Sequence, residues 1–485
     1  MKQFNHNLWA AGLLAVLLSG CITAPTPEQT TTPWTAPSGY RAGESVWADL
    51  RQRRPDLSQP LSLAELTDLA LQHSAATRQA WHTARAAAAN VDKAQGLFMP
   101  AVSAHAGGAR SGASASPDSF DAQTLHYGPG LQMNYLVMNF GGGRAAAVEQ
   151  ALQTVFTANH QFNQTIQDTL LQVETAYFLC ISAQAGMDAT EANVADASKA
   201  LDAAQTRNTA GMATGLDVLQ AQAAYDQALS QQAAARGHWQ VARGALAKAV
   251  GLPADTAILP APTTGELPAG LDTNTVHRIV DEAIANRADI AALRANLAAR
   301  QAAIQVAHAT SWPNLYLNAN LDRDYAAAMT GDLQGPNREW GYGVGFNVQW
   351  SIFDGWQTES EIRMAEEQAQ AAEALLEQAE LGASAEVWLC FQSYETARQK
   401  NLFSIAFYKS AEAARNMANE AYRAGLKTVL DLLAADAQLA TARSQQITAR
   451  LEIFIALANL NHATGRLTTK AADQRPVANA TMPKE

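Results

Sequence analysis

The sequence predicts a mainly α protein with a small β part, built as a duplicated long-helix protomer. Three observations lead to this fold class. One turn sequence occurs twice, long proline-free stretches are rich in alanine, and four short segments alternate apolar and polar residues. A duplication indicates two copies of a unit that cannot close its own hydrophobic surface. The two periodicities assign the alanine-rich stretches to helices and the alternating segments to strands.

The first twenty residues resemble a secretory signal. Lys2 precedes an apolar run over 8–18, and two small residues lead to Cys21. The four residues ending at Cys21 are similar to a bacterial lipoprotein box, and Ile22 in place of an acidic residue favours the outer membrane. We therefore predict that Cys21 is lipidated and anchors the chain to the outer membrane. The alternative is a conventional signal, cleaved or uncleaved, with an incidental cysteine.

The chain divides into five predicted segments. They are a lipoprotein signal peptide over 1–20, a lipid-anchored extended tether rich in Pro, Thr and Ser over 21–60, a first structural repeat over 61–260, a second over 261–470, and a flexible tail over 471–485. Cys180 and Cys390 stand alone in alanine-rich stretches, so we expect them to pack in the core. Beyond the signal, no run of eighteen apolar residues predicts a transmembrane helix.

Four segments predict strands. The clearest run from Asn314 to Leu321 and from Gly341 to Ile352, where polar and apolar residues alternate strictly. Weaker alternation covers 101–107 and 127–137. Alternation over about ten residues with aromatics near the ends is typical of membrane β-barrel strands. A half-buried strand of a soluble sheet is the alternative interpretation.

Two long helices are predicted between the strands and the duplicated turns. The stretch from Gly143 to about Thr209 lacks proline and would span roughly 100 Å as one helix. The stretch from Gln357 to about Ala424 is similar. Its apolar residues recur at steps of three and four, which is the spacing of a helix packed in coiled-coil fashion. These residues are Ala365, Ala369, Ala372, Leu376, Ala379, Ala383 and Val387. We expect them to form core.

The internal repeat is the strongest signal in the chain. The segment AGMATGLD over 210–217 recurs as AGLKTVLD over 424–431. A proline precedes the first strand of each pair, at Pro100 and at Pro313. Each half therefore reads as helix, strand, strand, long helix, turn and helix. Four strands cannot close a barrel, and open sheet edges are not tolerated in lipid, so strands in a membrane need other chains to complete them.

Composition and motifs exclude several functions. The net charge of −11 and the absence of a basic face argue against nucleic acid. No nucleophile with its base, phosphate-binding loop or metal-spaced His and Cys set is found, so we predict no enzyme, catalytic residue, cofactor or metal site. A lipid-anchored coiled-coil or adhesin-like structural protein is the alternative, but it leaves the strand pairs unexplained.

The doubled turn, the proline-led strand pairs and the helix lengths resemble the TolC family of outer-membrane factors, over about 61–467. The resemblance implies four strands per protomer in a trimeric twelve-stranded outer-membrane β-barrel and an α-helical tunnel across the periplasm. It also implies passive conduction, docking to a periplasmic adaptor, and an inner-membrane pump of RND or ABC type. The chain is thus expected to be the outer-membrane channel subunit of a tripartite efflux or export system.

The resemblance also implies a gate near the periplasmic turns. The matching positions are Asp217, Tyr422, Lys427 and Asp431. Lys427 stands where better-known members carry Arg, so a planar fork becomes a point charge. Ala434 stands where a second acidic ring is expected. The alternative makes both aspartates ordinary first-turn residues favoured by the helix dipole.

The two turns themselves are expected to contact the adaptor. Gly211 and Gly425 permit the tight reversal between helices, and Thr214 and Thr428 can cap the helices that follow. Both also make sense as bare hairpin turns.

Overall fold

The computed structural model describes residues 59–113, 122–262, 276–328 and 337–467. The predicted signal peptide, Cys21, nearly all of the tether and the C-terminal tail lie outside the described residues.

The described residues form long helices joined to two β-hairpins, in the order that the repeat predicts, except that two helices stand where one was predicted before each hairpin. The helices are α1 (Leu63–His73), α2 (Ala75–Gln95), α3 (Gly143–Thr209), α4 (Gly215–Val250), α5 (Val276–Asn286), α6 (Ala288–Ala309), α7 (Gln357–Arg423) and α8 (Val429–Ala463). The strands are β1 (Ala101–Ala113), β2 (Ala122–Asn139), β3 (Asn314–Ala328) and β4 (Asn337–Gln349). Two short helices, a hairpin, a helix of 67 residues and a helix of 35 or 36 residues therefore follow one another in each half.

The four strands form one antiparallel sheet in the order β1-β2-β3-β4. The hairpins of the two halves are joined through β2 and β3, where Tyr127 faces Tyr325 in the register. Three strands are longer than the alternation predicts because backbone pairing continues through segments whose side chains carry no clear pattern. The fourth strand ends at Gln349, short of the predicted Ile352. Gln349 pairs with Asn314. The residue that precedes Asn314 is Pro313, which has no N–H to continue the pairing.

The sheet has one apolar and one polar face. On β4, Val344 and Phe346 are 73% and 71% exposed, and the positions that alternate with them are Gly343, Gly345 and Asn347. Successive side chains of a strand point to opposite faces, so the exposed apolar residues share one side. The residues that the structure describes therefore leave the apolar face of the sheet exposed.

The described residues form two compact units, each with segments from both halves. The strand unit contains Thr83–Asn159 and Ala295–Glu373, and the helical unit contains 59–82, 160–294 and 374–467. In the strand unit, α2 packs on α3 through Ala88, Val91, Ala151 and Val155. Small side chains at these contacts let the two helix backbones approach closely.

The largest core of the helical unit joins α1, α3 and α4. Leu66, Val173 and Leu246 are at its centre, and Cys180 is buried beside them. Tyr177 donates a hydrogen bond from its hydroxyl to the carbonyl of Ala261 at 2.7 Å. Core packing of both cysteines is confirmed, because Cys390 is buried in a second cluster of this unit.

The predicted apolar stripe of α7 is largely buried. Five of its residues are buried and two, Leu376 and Ala379, are partly buried. Among the described helices, none combines the length and the apolar character needed to cross a membrane.

Candidate functional site

Two hairpin turns of the helical unit contain the residues that the sequence singles out. Gly211 lies two residues after the end of α3 with a φ of 72°, and Gly425 lies two residues after the end of α7 with a φ of 76°. This left-handed conformation is costly for residues with a Cβ. The following N–H groups, of Met212 and Leu426, donate back to the carbonyls of Arg207 and Ala421, both at 2.8 Å. Both turns thus satisfy the last carbonyls of the preceding helix in the same way.

The helix that follows each turn begins with a reciprocal capping box. The N–H and hydroxyl groups of Thr214 donate to Asp217 Oδ2 at 2.7 and 2.9 Å, and the Asp217 N–H returns a bond to the Thr214 hydroxyl at 3.3 Å. Thr428 and Asp431 repeat the arrangement at 3.0, 2.8 and 3.3 Å. These bonds lower the pKa of each aspartate, first through the backbone N–H and then through the hydroxyl. Both carboxylates therefore stay charged at neutral pH.

Tyr422 lies one turn before Gly425 and is 3% exposed. Its ring packs in a cluster formed by α3, α4, α7 and α8, with Ala204, Ala221 and Leu432 among the buried members. The Arg207 guanidinium lies over this ring, 4.7 Å from the centroid, and also donates to the Tyr422 carbonyl. The end of α3 is thereby tied to the end of α7.

The four predicted gate residues fall into two groups. Lys427, in the turn, pairs with Asp431 in the first turn of α8, Nζ to Oδ1 at 3.6 Å, and both side chains are exposed. Tyr422 has Arg207 as its basic contact among the described residues. Arg207 also lowers the pKa of Asp217, as a smaller contribution after the capping bonds, so Asp217 belongs with Tyr422.

Two buried polar atoms at this site lack a hydrogen bond within the described protomer. They are the hydroxyl oxygen of Tyr422 and Nε of Arg207. Burial raises the pKa of the Tyr422 hydroxyl, which the Arg207 charge lowers and the Asp217 charge raises. Buried polar groups in folded proteins nearly always have partners, so this cluster has unused hydrogen-bonding capacity.

An ion network beside this cluster was not predicted from the sequence. Arg415 of α7 binds Asp196 of α3 at 3.0 Å and Asp436 of α8 at 2.9 Å, and Arg443 binds Asp196 at 3.1 Å. Burial raises the pKa of Asp436 despite the bond from Arg415. These charges join α3 of the first half to α7 and α8 of the second.

Arg207 and the ion network share a sequence signal that a comparison of the two halves could have found. Arg207 corresponds to Ala421 in the repeat, and Arg415 corresponds to Leu201. Charged residues that replace Ala or Leu in only one half of a duplication mark places where the halves perform different tasks.

The charged groups beside this site connect helices. Among the residues that the structure describes, no group of three or more His, Cys, Asp or Glu side chains is arranged to hold a metal ion. The groups present can fix helix ends and present carboxylates at two turns.

Relatives with similar sequences share nearly the whole chain. Protein CyaE of Bordetella pertussis is 28% identical over 423 residues, covering 86% of each chain. Pyoverdine export outer membrane protein OpmQ of Pseudomonas aeruginosa is also 28% identical and covers 96% of this chain and 97% of its own.

Solved structures show the same fold. The outer membrane protein VceC of Vibrio cholerae matches with a TM-score of 0.70 at 22% identity, covering 83% of this chain and 96% of its own. The outer-membrane channel OprN matches with the same score and covers 90% and 98%.

The family described as "Outer membrane efflux protein" matches two segments, residues 66–252 and 279–466. These segments together make up most of the sequence, and each contains one hairpin, one long helix and one duplicated turn. The chain belongs to the outer membrane efflux protein family.

Proposed function

We propose that this protein is the outer-membrane channel subunit of a tripartite efflux or export system and conducts substrates passively. The observation that carries the proposal is the four-stranded sheet, whose apolar face is exposed and whose edge strands, β1 and β4, each pair on one side only among the described residues. Membership of the family and the export role named for OpmQ support it.

The proposed channel is a homotrimer. An edge strand in lipid leaves backbone N–H and C=O groups without partners, which costs several kcal/mol for each group. Pairing β4 of one protomer with β1 of the next removes both edges. Three protomers supply about twelve strands, enough to enclose a pore wider than the packed interior of an eight-stranded barrel. The long helices would continue this barrel as a tunnel in the periplasm.

The two turns form the proposed periplasmic end of that tunnel. Asp217, Tyr422, Lys427 and Asp431 are proposed to narrow it, together with Arg207. Carboxylates from three protomers would make a negative ring that favours cations. The contact between Arg207 and Tyr422 supports this arrangement because it ties the end of α3 to the end of α7 beside the two turns.

The same turns are proposed to contact a periplasmic adaptor, which connects the channel to an inner-membrane pump of RND or ABC type. Gly211, Thr214, Gly425 and Thr428 shape them. Apolar side chains beside these residues are strongly exposed, including Leu426 at 79%. Exposed apolar groups at the end of rigid helices favour a protein partner.

The N-terminus is proposed to be lipid-anchored at Cys21, which places the protein at the outer membrane by a second route besides the sheet. We expect Cys21→Ser to remove acylation while assembly persists, because the barrel carries most of the membrane affinity. Metabolic labelling with palmitate measures this. Equal labelling of wild type and variant would rule out the anchor.

The central experiment compares single arginine substitutions on the two faces of β4. Val348→Arg and Val344→Arg should lower assembly, since a charge on the lipid face costs about 2–4 kcal/mol at mid-membrane. Asn347→Arg, one residue away on the polar face, is the matched control and should assemble. The yield of heat-resistant oligomer in outer-membrane fractions measures all three. Assembly of Val348→Arg together with failure of Asn347→Arg would contradict the proposed facing.

A further inference from the structure

Aromatic side chains and one arginine gather at the hairpin end of the apolar sheet face. Tyr127 of β2 stacks on Tyr325 of β3 with centroids 5.3 Å apart. Arg323 places its guanidinium 5.5 Å from the Tyr325 ring and 5.0 Å from the Trp340 ring of β4. The two rings thus hold the arginine on one side of the sheet.

Arg323 is on the apolar face by register. It pairs with Trp340, which is 62% exposed, two residues before Tyr342 on the same strand. The neighbouring Asp322 belongs to the polar face, where it pairs with His105 at 3.3 Å and accepts a hydrogen bond from Asn320 at 2.6 Å. Among the side chains that the structure describes on the apolar face, Arg323 is the charged one.

A second group of aromatic residues marks the other end of this face, where β4 leads towards α7. Trp312, Trp350 and Trp356 are all more than half exposed there. From Trp340 to Trp350 the chain advances roughly 34 Å at about 3.4 Å per residue. Tilted by about 40°, this segment spans roughly 25 Å, the height of the apolar band of a membrane barrel between its aromatic girdles. Arg323 is therefore at the border of this band and outside its middle.

The position of Arg323 suits a charged partner in the lipid. An arginine on the lipid face costs about 2–4 kcal/mol at the midplane but about 0–1 kcal/mol near the interface. Its planar fork can bind two phosphate oxygens, and stacking on aromatic rings orients it beforehand. The long helices begin at the opposite end of the sheet, so in a channel with a periplasmic tunnel this border faces the outer leaflet.

We propose that Arg323, held between Tyr325 and Trp340, binds the phosphate group of an outer-leaflet lipid. This inference rests on the proposed function, because the sheet must span the outer membrane. The guanidinium binds the phosphate of a headgroup, and this phosphate belongs to a membrane lipid.

The test measures lipid binding by the full chain, purified in detergent as the assembled oligomer. Diphosphorylated lipid A is titrated in mixed micelles, and bound lipid is counted by native mass spectrometry. Arg323→Gln should weaken binding about tenfold, as loss of a charge-assisted contact predicts. Binding by Arg323→Lys should be intermediate between that of wild type and Arg323→Gln, because lysine keeps the charge but lacks the planar guanidinium that binds two oxygens. The matched control is Arg300→Gln, an exposed arginine of α6 bound to Gln368 at 3.2 Å, which should bind like wild type.

Two further arms identify the ligand. Lipid A without phosphates should bind all variants equally, and inorganic phosphate should not displace the phosphorylated lipid. Equal binding of phosphorylated lipid to wild type and Arg323→Gln overturns the inference, and displacement by inorganic phosphate overturns the lipid as its source. Assembled, membrane-inserted oligomer with unchanged lipid binding leaves the proposed channel standing. Wild-type protein that neither assembles nor inserts would contradict both the proposed channel and the proposed lipid site.

Discussion

The two duplicated turns of the helical unit have the same backbone and different surroundings. At Gly211 and at Gly425 the chain reverses through a left-handed residue, and a threonine and an aspartate cap the next helix with matching bonds. The residue three positions before the glycine differs. It is Asn208 in the first turn, with its side chain on the Ala213 carbonyl at 2.9 Å, and Tyr422 in the second, buried under Arg207.

This difference separates the contacts that any helical hairpin requires from the contacts that are specific to the candidate site. The shared features satisfy the backbone and would serve any pair of helices. The features found in only one turn join distant helices and leave polar atoms unpaired. We therefore assign the helix reversal to the common residues, and we propose that Tyr422 and Arg207 add the fixed helix ends against which the shared carboxylates narrow the channel.

Removing the buried ring of Tyr422 should produce the largest difference between the two turns. Tyr422→Ala should lower the free energy of local opening by about 3–5 kcal/mol, because truncating a buried aromatic leaves a cavity. Asn208→Ala, the equivalent change in the first turn, should lower it by about 1 kcal/mol, the value of one exposed hydrogen bond. Hydrogen exchange of the amides at the start of α8 and of α4 measures both. Similar losses in the two turns would show that the buried ring adds nothing.

Removing the cation should have an intermediate effect. Arg207→Ala loses the contact over the Tyr422 ring and the bond to its carbonyl, which together contribute about 2 kcal/mol. Amide exchange in the last turn of α7 should rise although the substitution is on α3. Arg423→Ala, an exposed arginine next to Tyr422, is the control. An effect confined to α3 would contradict the proposed tie between the helices.

The caps should respond equally in both turns. Thr214→Ala and Thr428→Ala should each cost about 1 kcal/mol, the usual value of an N-cap side chain. Exchange of the first-turn amides of α4 and α8 measures this, with Thr→Ser variants as controls that keep the hydroxyl. A lower free energy of local opening in only one of the two turns would show that the two caps contribute unequally despite their matching geometry.

Acid should open both turns together. The folded pKa values of Asp217 and Asp431 are below the ordinary value, so their contribution to stability is present above the unfolded pKa of about 3.9 and is lost as pH falls through the folded value. Local opening should therefore increase below about pH 4 and stay constant from pH 5 to 7. Asp217→Asn and Asp431→Asn should each remove this step in their own turn. A step that persists in both variants would assign it to other groups.

The sequence contains enough information for the regular part of the fold. Proline-free alanine stretches set the long helices, and α7 indeed runs from Gln357 to Arg423. Alternation located all four strands but not their ends, because backbone pairing, such as Ala113 with Ala122, depends on a partner strand and not on side-chain type.

The site was only partly predictable. Asp217, Asp431 and the two glycines are visible in the repeated turn, since local hydrogen bonds fix their roles. Arg207 is absent from the turn sequence and reaches Tyr422 from a helix distant in the chain. Such a contact follows from helix packing, which periodicity predicts only as an apolar stripe.

Single-channel conductance in planar bilayers tests the central claim most directly. Arg207→Ser combined with Tyr422→Phe removes the cation and the unpaired hydroxyl but keeps the ring, and Lys427→Ser can be added to remove the exposed pair with Asp431. The matched first-turn variant is Asn208→Ser combined with Ala213→Ser. We expect a several-fold higher conductance for the variants at Arg207 and Tyr422, and wild-type conductance for the variant at Asn208 and Ala213. Wild-type conductance in both would contradict the account and leave the two turns as equal helix caps.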